Sequence, residues 1–333
     1  MRNLDQEHET ISVVVPVYRC GDCLEELCRR LLAVAERMEM SIQIVLVNDG
    51  CPQGAWPIIQ KLCAGDARIV GINLFRNFGQ HLAISAGLHY ARGSLVAVMD
   101  GDLQDVPEEL PKLYGKIHEG FDAVFGRRTN RQDSILKRMC SWGFNRLLGF
   151  LSGANHDPAV ANYSIISRQV VDSLNLLQER HRAYGLLVLW LGPKTAFVDI
   201  SHGKRSQGES SYTLWRQVRL ALDVVVSYSS RPLVFSVFAG FLCSAAAIGY
   251  IAILIVRKFA FGYGVEGWAS TMVSVWFLGG LILSQLGILG LYLGKIFEQI
   301  KGRPLFLVRE TLNDSKSQRR TIHERRADEA LPL

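Results

Sequence analysis

Met99-Asp100-Gly101-Asp102-Leu103-Gln104 gathers two carboxylates and an amide in one short stretch. These side chains offer only oxygen ligands. Oxygen suits Mg2+ or Mn2+, which keep several waters and take substrate phosphates as further ligands. A solvated turn accounts for many Asp-x-Asp pairs. Here the apolar run Leu95–Met99 stands just before the pair and reads as a core strand. That context points to a site for a metal and a diphosphate. Asp49 follows another apolar run and has two readings: a turn aspartate beside Gly50, or an acceptor for a nucleotide base. Arg76, in Arg76-Asn77-Phe78-Gly79-Gln80-His81, is a cation that neutralises phosphate or packs near a base, or is simply solvated. His81 heads a helix and reads as a cap or structural residue. Gly203–Tyr212 (GKRSQGESSY) combines backbone N–H groups, hydroxyls and Arg205, the ingredients of an anion site or of a flexible linker.

The elements that must position these residues alternate. Ile11–Pro16, Ile42–Val47, Ile69–Phe75, Leu95–Met99 and Ala123–Phe125 read as strands. Leu24–Met38, Trp56–Ala64, Gln80–Ala91 and Pro107–Glu119 read as helices between them. Strands alternating with helices imply right-handed crossovers and a mostly parallel α/β sheet. Ligands of such sheets sit beyond the carboxyl ends of the strands, where Asp49, Arg76 and the Asp100 group fall. Ser134–Leu151 and Leu214–Ser229 read as basic amphipathic helices, either on the sheet or at a membrane interface. Asp314–Glu329 is highly charged and reads as disordered.

The 333 residues are 49% hydrophobic and 20% charged, which suits one soluble α/β domain plus a small membrane module. Two charge-free apolar runs, Leu233–Val256 and Trp268–Leu293, are each long enough to cross a hydrocarbon core of about 30 Å as a helix. Met1–Thr10 is polar, so no cleavable leader is expected. The net charge of +6 is modest, and Arg216, Arg219, Arg231, Lys295, Lys301, Arg303 and Arg309 flank the two runs. That distribution favours a membrane surface over nucleic acid and predicts cytosolic termini. Seven cysteines include Cys20-x-x-Cys23, which lacks a second Cys or His pair at zinc spacing. They read as small buried residues of a reducing compartment. Gly290-x-x-x-Gly294 lets helices approach closely.

The series VVVPVY at 13–18, NDG at 48–50, RNFGQ at 76–80, MDGDLQDVPEE at 99–109, NRQDS at 130–134 and RSQGESSY at 205–212 follows a recognisable order. With the two spans and KGRPLF at 301–306, it resembles the family 2 glycosyltransferases that act on polyisoprenyl phosphates. The resemblance covers about residues 10–310. It extends to dolichol-phosphate mannose synthases, undecaprenyl-phosphate glucosyltransferases and aminoarabinose transferases.

The resemblance implies a GT-A type (Rossmann-like) domain over residues 1–212 and a juxtamembrane interfacial helix over 213–231. A two-helix transmembrane hairpin over 232–294 and a cytosolic C-terminal segment over 295–333 with a disordered tail would follow. It implies inverting transfer of a sugar from a UDP-sugar to undecaprenyl phosphate on the cytosolic side of a bacterial inner membrane, feeding cell-envelope glycan modification. Pro16, Tyr18, Asp49, Arg76, Asp100 and Gly101 would then bind the nucleotide-sugar. Asp102 and Gln104 would ligate Mg2+ or Mn2+. Arg127, Lys137, Ser141, Arg205 and Ser210 would face the acceptor or donor phosphates. Asp157 corresponds to the catalytic aspartate of some relatives. The expected partners are the UDP-sugar, the polyprenyl phosphate, the bilayer and further copies of the chain, four in the pattern of the family, with no nucleic acid. The chain departs from the pattern at Arg19 and Cys20, where relatives read Asn-Glu, and at Ser164 and Ser211, where relatives carry Arg and Lys. Two alternatives stand beside this reading: a processive polysaccharide synthase, and a catalytically weak or inactive scaffold that binds nucleotide.

Overall fold

The computed structural model describes residues 9–128, 160–180, 182–201, 231–261 and 267–314. It divides into two compact units. The first comprises Met1–Asp133, Asp157–Glu209 and Arg303–Leu333, and the second Ser134–His156 and Ser210–Gly302.

The first unit is built on an eight-stranded sheet: β1 Thr10–Val17, β2 Ser41–Asn48, β3 Ile69–Leu74, β4 Leu95–Val98, β5 Ala123–Arg128, β6 Val160–Ser167, β7 Thr195–Ile200 and β8 Val308–Leu312. The strand order is β7-β5-β6-β4-β1-β2-β3-β8. The four strands β4-β1-β2-β3 are parallel. The sheet as a whole is mixed: β6 runs antiparallel to both β4 and β5, and β8 runs antiparallel to β3.

Local chemistry explains the parallel centre. β1 is buried at every position after Thr10. Its run of valines suits a strand covered on both faces, as crossover helices require. Helix α1 (Leu24–Arg37) buries Leu24, Leu27, Cys28, Leu31, Val34 and Ala35, the apolar stripe of a 3.6-residue period. Each such leucine or valine, fully buried, contributes about 1.5–3 kcal/mol before entropy is counted. Helices α2 (Ala55–Gly65), α3 (Gln80–Tyr90) and α4 (Leu110–Ile117) complete the crossovers. The expected Pro107–Glu119 helix is shorter: Pro107–Glu109 form one tight turn that leads into α4. Helices α5 (Arg168–Leu176) and α6 (Tyr184–Trp190) follow β6.

The sheet reaches beyond the five strands expected from sequence, through β6, β7 and β8. Segment 295–333, expected as a separate C-terminal piece, supplies β8 to the first unit. Asn313 ends β8 by donating its side-chain amide to the carbonyls of Cys63, Ile69 and Asp66 at 2.6, 2.9 and 3.3 Å. Arg92 pairs with Asp314 just beyond.

The second unit carries α7 (Arg231–Phe261) and α8 (Trp268–Ile300). Arg231–Val256 has a mean hydropathy of 2.3 and Val273–Ile300 one of 1.8. Both are long and apolar enough to cross a membrane. Ser244 and Ser284 return their hydroxyls to the carbonyls of Gly240 and Gly280. Gln285 donates to the Ser236 carbonyl of the other helix at 3.2 Å. Side chains satisfied in this way suit a medium that offers no water.

Candidate active site

In a parallel sheet of order 3-2-1-4 the strand order reverses between β1 and β4, and the crevice at their carboxyl ends is the natural ligand site. The loops leaving β1 and β4 meet there. A Cβ on Gly101 would lie 3.0 Å from Cys20 Sγ and 3.2 Å from Val15 Cγ1, so the acidic loop packs closely against β1 and the loop after it. Leu103 takes a left-handed φ of 61°, uncommon for a branched side chain. This turn lets Asp102 Oδ1 accept the Gln104 backbone N–H at 3.1 Å. Asp100 is held at its own backbone, whose N–H donates to Asp105 Oδ2 at 3.0 Å. The Asp105 side chain is wholly buried.

The ends of β2 and β3 are tied in the same manner. Asn48 Nδ2 donates to Asn73 Oδ1 at 2.9 Å, and Asn48 Oδ1 accepts the Cys51 N–H. Asp49 is 2% exposed. Its two oxygens accept the backbone N–H groups of Phe78 and Gly79 at 2.7 and 2.9 Å. Burial raises the Asp49 carboxyl above its usual range, offset in part by those two N–H donors and by Arg76. Gly50 sits at φ 60°, and a Cβ there would stand 2.6 Å from the Asn77 nitrogen. The Arg76 guanidinium lies 4.5 Å over the Phe78 ring. A final contact joins the two halves: Gln80, first residue of α3, donates its side-chain amide to Asp100 Oδ1 at 2.6 Å.

Pro16, Tyr18, Asp49, Arg76, Asp100, Gly101, Asp102 and Gln104 therefore share one edge of the sheet, at the carboxyl ends of β1 to β4. Tyr18 is 43% exposed, with the Arg19 guanidinium 5.4 Å from its ring centre. Arg127 reaches the same edge, because β5 runs in the direction of β4. There it donates to Asp199 Oδ1 at 2.7 Å and holds that carboxyl below its usual range. Asp157, Lys137, Ser141, Arg205 and Ser210 lie outside the described residues. So do the Ser134–Leu151 and Leu214–Ser229 segments.

Two expectations about single residues gain a structural account. His81 is structural: its Nδ1 accepts the Tyr184 N–H at 3.3 Å, and burial lowers its pKa. Ser164, a departure from the expected pattern, is buried and shares a 2.8 Å hydrogen bond with the Tyr184 hydroxyl. A guanidinium could not enter that pair without burying its charge. The cysteines form no disulfide among the described residues. Burial pushes the Cys20 thiol up to about 12. Sequence reasoning passed over Gln80 and Asp105. The available signal was position: one opens a helix at the ligand edge, and the other closes the acidic loop.

The donor set accommodates a hard divalent cation. Among the described residues no three His, Cys, Asp or Glu side chains converge as a self-sufficient metal cage. Asp102 and Gln104 carry oxygen donors of the kind such a cation takes, and neither is fully buried. Mg2+ and Mn2+ are commonly bound through few protein oxygens, with substrate phosphates and waters completing the shell.

Known proteins resemble this chain over most of its length. The family model described as glycosyl transferase family 2 matches residues 12–174. The chain is 34% identical over 311 residues to the undecaprenyl-phosphate 4-deoxy-4-formamido-L-arabinose transferase of Shewanella sediminis, covering 92% of this chain and 94% of that one. The chain belongs to glycosyl transferase family 2. As a family 2 glycosyltransferase it is also 32% identical over 302 residues to the bactoprenol glucosyl transferase of Shigella phage SfII, covering 90% and 98% of the two chains. A glycosyltransferase of Synechocystis is 35% identical over 299 residues, covering 90% and 94%. The described sheet is that of a GT-A-like glycosyltransferase domain.

Proposed function

We propose that this glycosyltransferase moves a sugar from a UDP-sugar to undecaprenyl phosphate, with inversion at the anomeric carbon. The observation that carries the reading is the acidic loop after β4, with Asp100, Asp102 and Gln104 at the carboxyl edge of the parallel strands. Relatives named for transfer to undecaprenyl phosphate and bactoprenol support the acceptor class.

The residues divide the work. Tyr18, Pro16 and Asp49 border the pocket for uracil and ribose. Asp100 and Gly101 contact the nucleotide-sugar, and Arg76 and Arg127 offset phosphate charge. Lys137, Ser141, Arg205 and Ser210 complete the phosphate-facing set. Asp102 and Gln104 would hold Mg2+ or Mn2+. Once bound, the metal would supply electrostatic stabilisation of the departing diphosphate. In the transfer itself a phosphate oxygen of the lipid bonds to the anomeric carbon as its bond to the UDP oxygen breaks. The acceptor needs no strong base: the second pKa of a phosphate monoester is about 6, so it is mostly a dianion at neutral pH. Asp157 orients groups and takes no proton.

A long polyprenyl chain stays in the bilayer, since each exposed CH2 costs about 0.8 kcal/mol. The enzyme must meet the lipid there, and α7 and α8 give it the means. The proposed arrangement is a cytosolic transferase domain, an interfacial helix over 213–231 and a transmembrane hairpin in a bacterial inner membrane, assembled as a homo-oligomer. A panel of UDP-sugars incubated with undecaprenyl phosphate and Mn2+ tests the reading. One sugar should enter the organic-extractable lipid, and its product should carry a single residue. Long products would indicate a processive synthase, and no product with any donor would favour a nucleotide-binding scaffold. Asp157→Asn should retain far more activity than Asp102→Ala; equal loss would argue for an obligatory base.

A further inference from the structure

We propose that Gln80 is a positioning residue for sugar transfer, whose side-chain amide fixes the Asp100 carboxylate in its donor-binding orientation. The inference rests on the reading of Asp100 as a contact to the nucleotide-sugar.

The contact is short and charge-assisted: Nε2 of Gln80 lies 2.6 Å from Oδ1 of Asp100. Gln80 is exposed, so burial does not explain its place. Its own helix has no need of an amide there. The first position of a helix favours an acidic side chain, which complements the positive end of the dipole. The first turn already uses the Gly79 carbonyl, which accepts the N–H groups of Leu82 and Ala83. The Gln80 side chain instead leaves its helix and crosses to the loop after β4.

Both ends of this bridge are fixed. On one side, Asp49 grips the N–H groups of Phe78 and Gly79, the two residues before Gln80. Close packing of Gly50 on Asn77 holds the same loop. On the other side, the Asp105 carboxylate anchors the Asp100 backbone. With its backbone held, an aspartate still chooses among three staggered χ1 wells. The Gln80 amide, 2.6 Å from Oδ1, favours the well seen here. Reacting groups displaced by about 1 Å lose on the order of 100-fold in rate, so this selection matters to transfer.

The test uses the full chain in detergent, undecaprenyl phosphate, Mn2+ and the radiolabelled UDP-sugar that the wild type transfers fastest. Gln80→Met keeps the length and removes the donor; Gln80→Lys keeps a donor. Gln80→Met should lower kcat/KM for the UDP-sugar about 10-fold or more, leaving the KM for undecaprenyl phosphate unchanged. Gln80→Lys should recover most of that loss. A merely structural role would lower the melting temperature in step with kcat/KM, so melting temperatures of both variants are measured alongside and should stay at the wild-type value. Wild-type kcat/KM in Gln80→Met, or equal loss in Met and Lys, overturns the proposal. Asp100→Asn in the same assay separates the causes. If it transfers normally, the role of Asp100 falls, and this inference with it. If it is inactive while Gln80→Met is normal, only the role of Gln80 falls.

Discussion

Asp49 holds two backbone N–H groups, one on each oxygen, in a buried setting. Asparagine has the same shape but only one acceptor, so Asp49→Asn turns an amide N–H2 toward a backbone N–H. An unpaired buried donor costs about 1–3 kcal/mol, and thermal melts should register that loss. A melt identical to wild type would mean the 76–79 loop is not held this way. The cysteines give a pH-dependent prediction. Burial pushes Cys20 and Cys28 to about 12 and Cys63 to about 11. The thiolate is the nucleophile, so a raised pKa means less reactive sulfur at a given pH. At pH 8 a thiol of pKa 12 is ionised in only about one molecule in ten thousand. Iodoacetamide followed by peptide mass analysis should leave Cys28 and Cys63, both buried, unlabelled in the native chain and label them after unfolding. Rapid native labelling would contradict the burial. At this scale the sequence was partly legible. Asp100, Asp102 and Gln104 announce themselves because oxygen-bearing side chains follow a core strand. Gln80 and Asp105 act through contacts between loops, and neighbours in sequence carry no trace of them. Asp49 looked like a turn residue or a base acceptor, and its grip on Phe78 and Gly79 is a long-range fact.

Among the elements, β8 depends most on a single residue. Asn313 sits at φ 57° and sends one amide to three carbonyls. Asn313→Ala loses those bonds, and alanine lacks the polar side chain by which asparagine tolerates left-handed backbone. Asn313→Gly should recover the backbone part only, so melting temperatures should rank wild type, Gly, Ala. A different ranking would remove Asn313 as the anchor of β8. The central strands were readable because parallel strands buried on both faces must be apolar runs. The later strands were not. β7 leaves Phe197 exposed, and β8 (VRETL) has no clean alternation, because each lies at an edge of the sheet. β8 also pairs with β3 across most of the chain, beyond the reach of periodicity.

For the whole molecule, the two apolar helices are long and apolar enough to cross a membrane. The side chains of Phe238, Phe241, Leu242, Trp276, Leu283 and Leu293 are exposed along α7 and α8, and hydrocarbon is the solvent that suits them. Expressed in bacteria, the chain should remain with membranes through alkaline carbonate washing; release into the wash would contradict spanning helices. The sequence made these helices plain, since length and hydropathy alone identify them. The central claim is that the loop after β4 performs sugar transfer to a lipid phosphate. Its most direct measurement is the initial rate of label transfer from a UDP-sugar into undecaprenyl phosphate, wild type beside Asp102→Ala. The account predicts steady transfer by the wild type and a fall of about 100-fold or more in the variant. Equal rates in the two would contradict it.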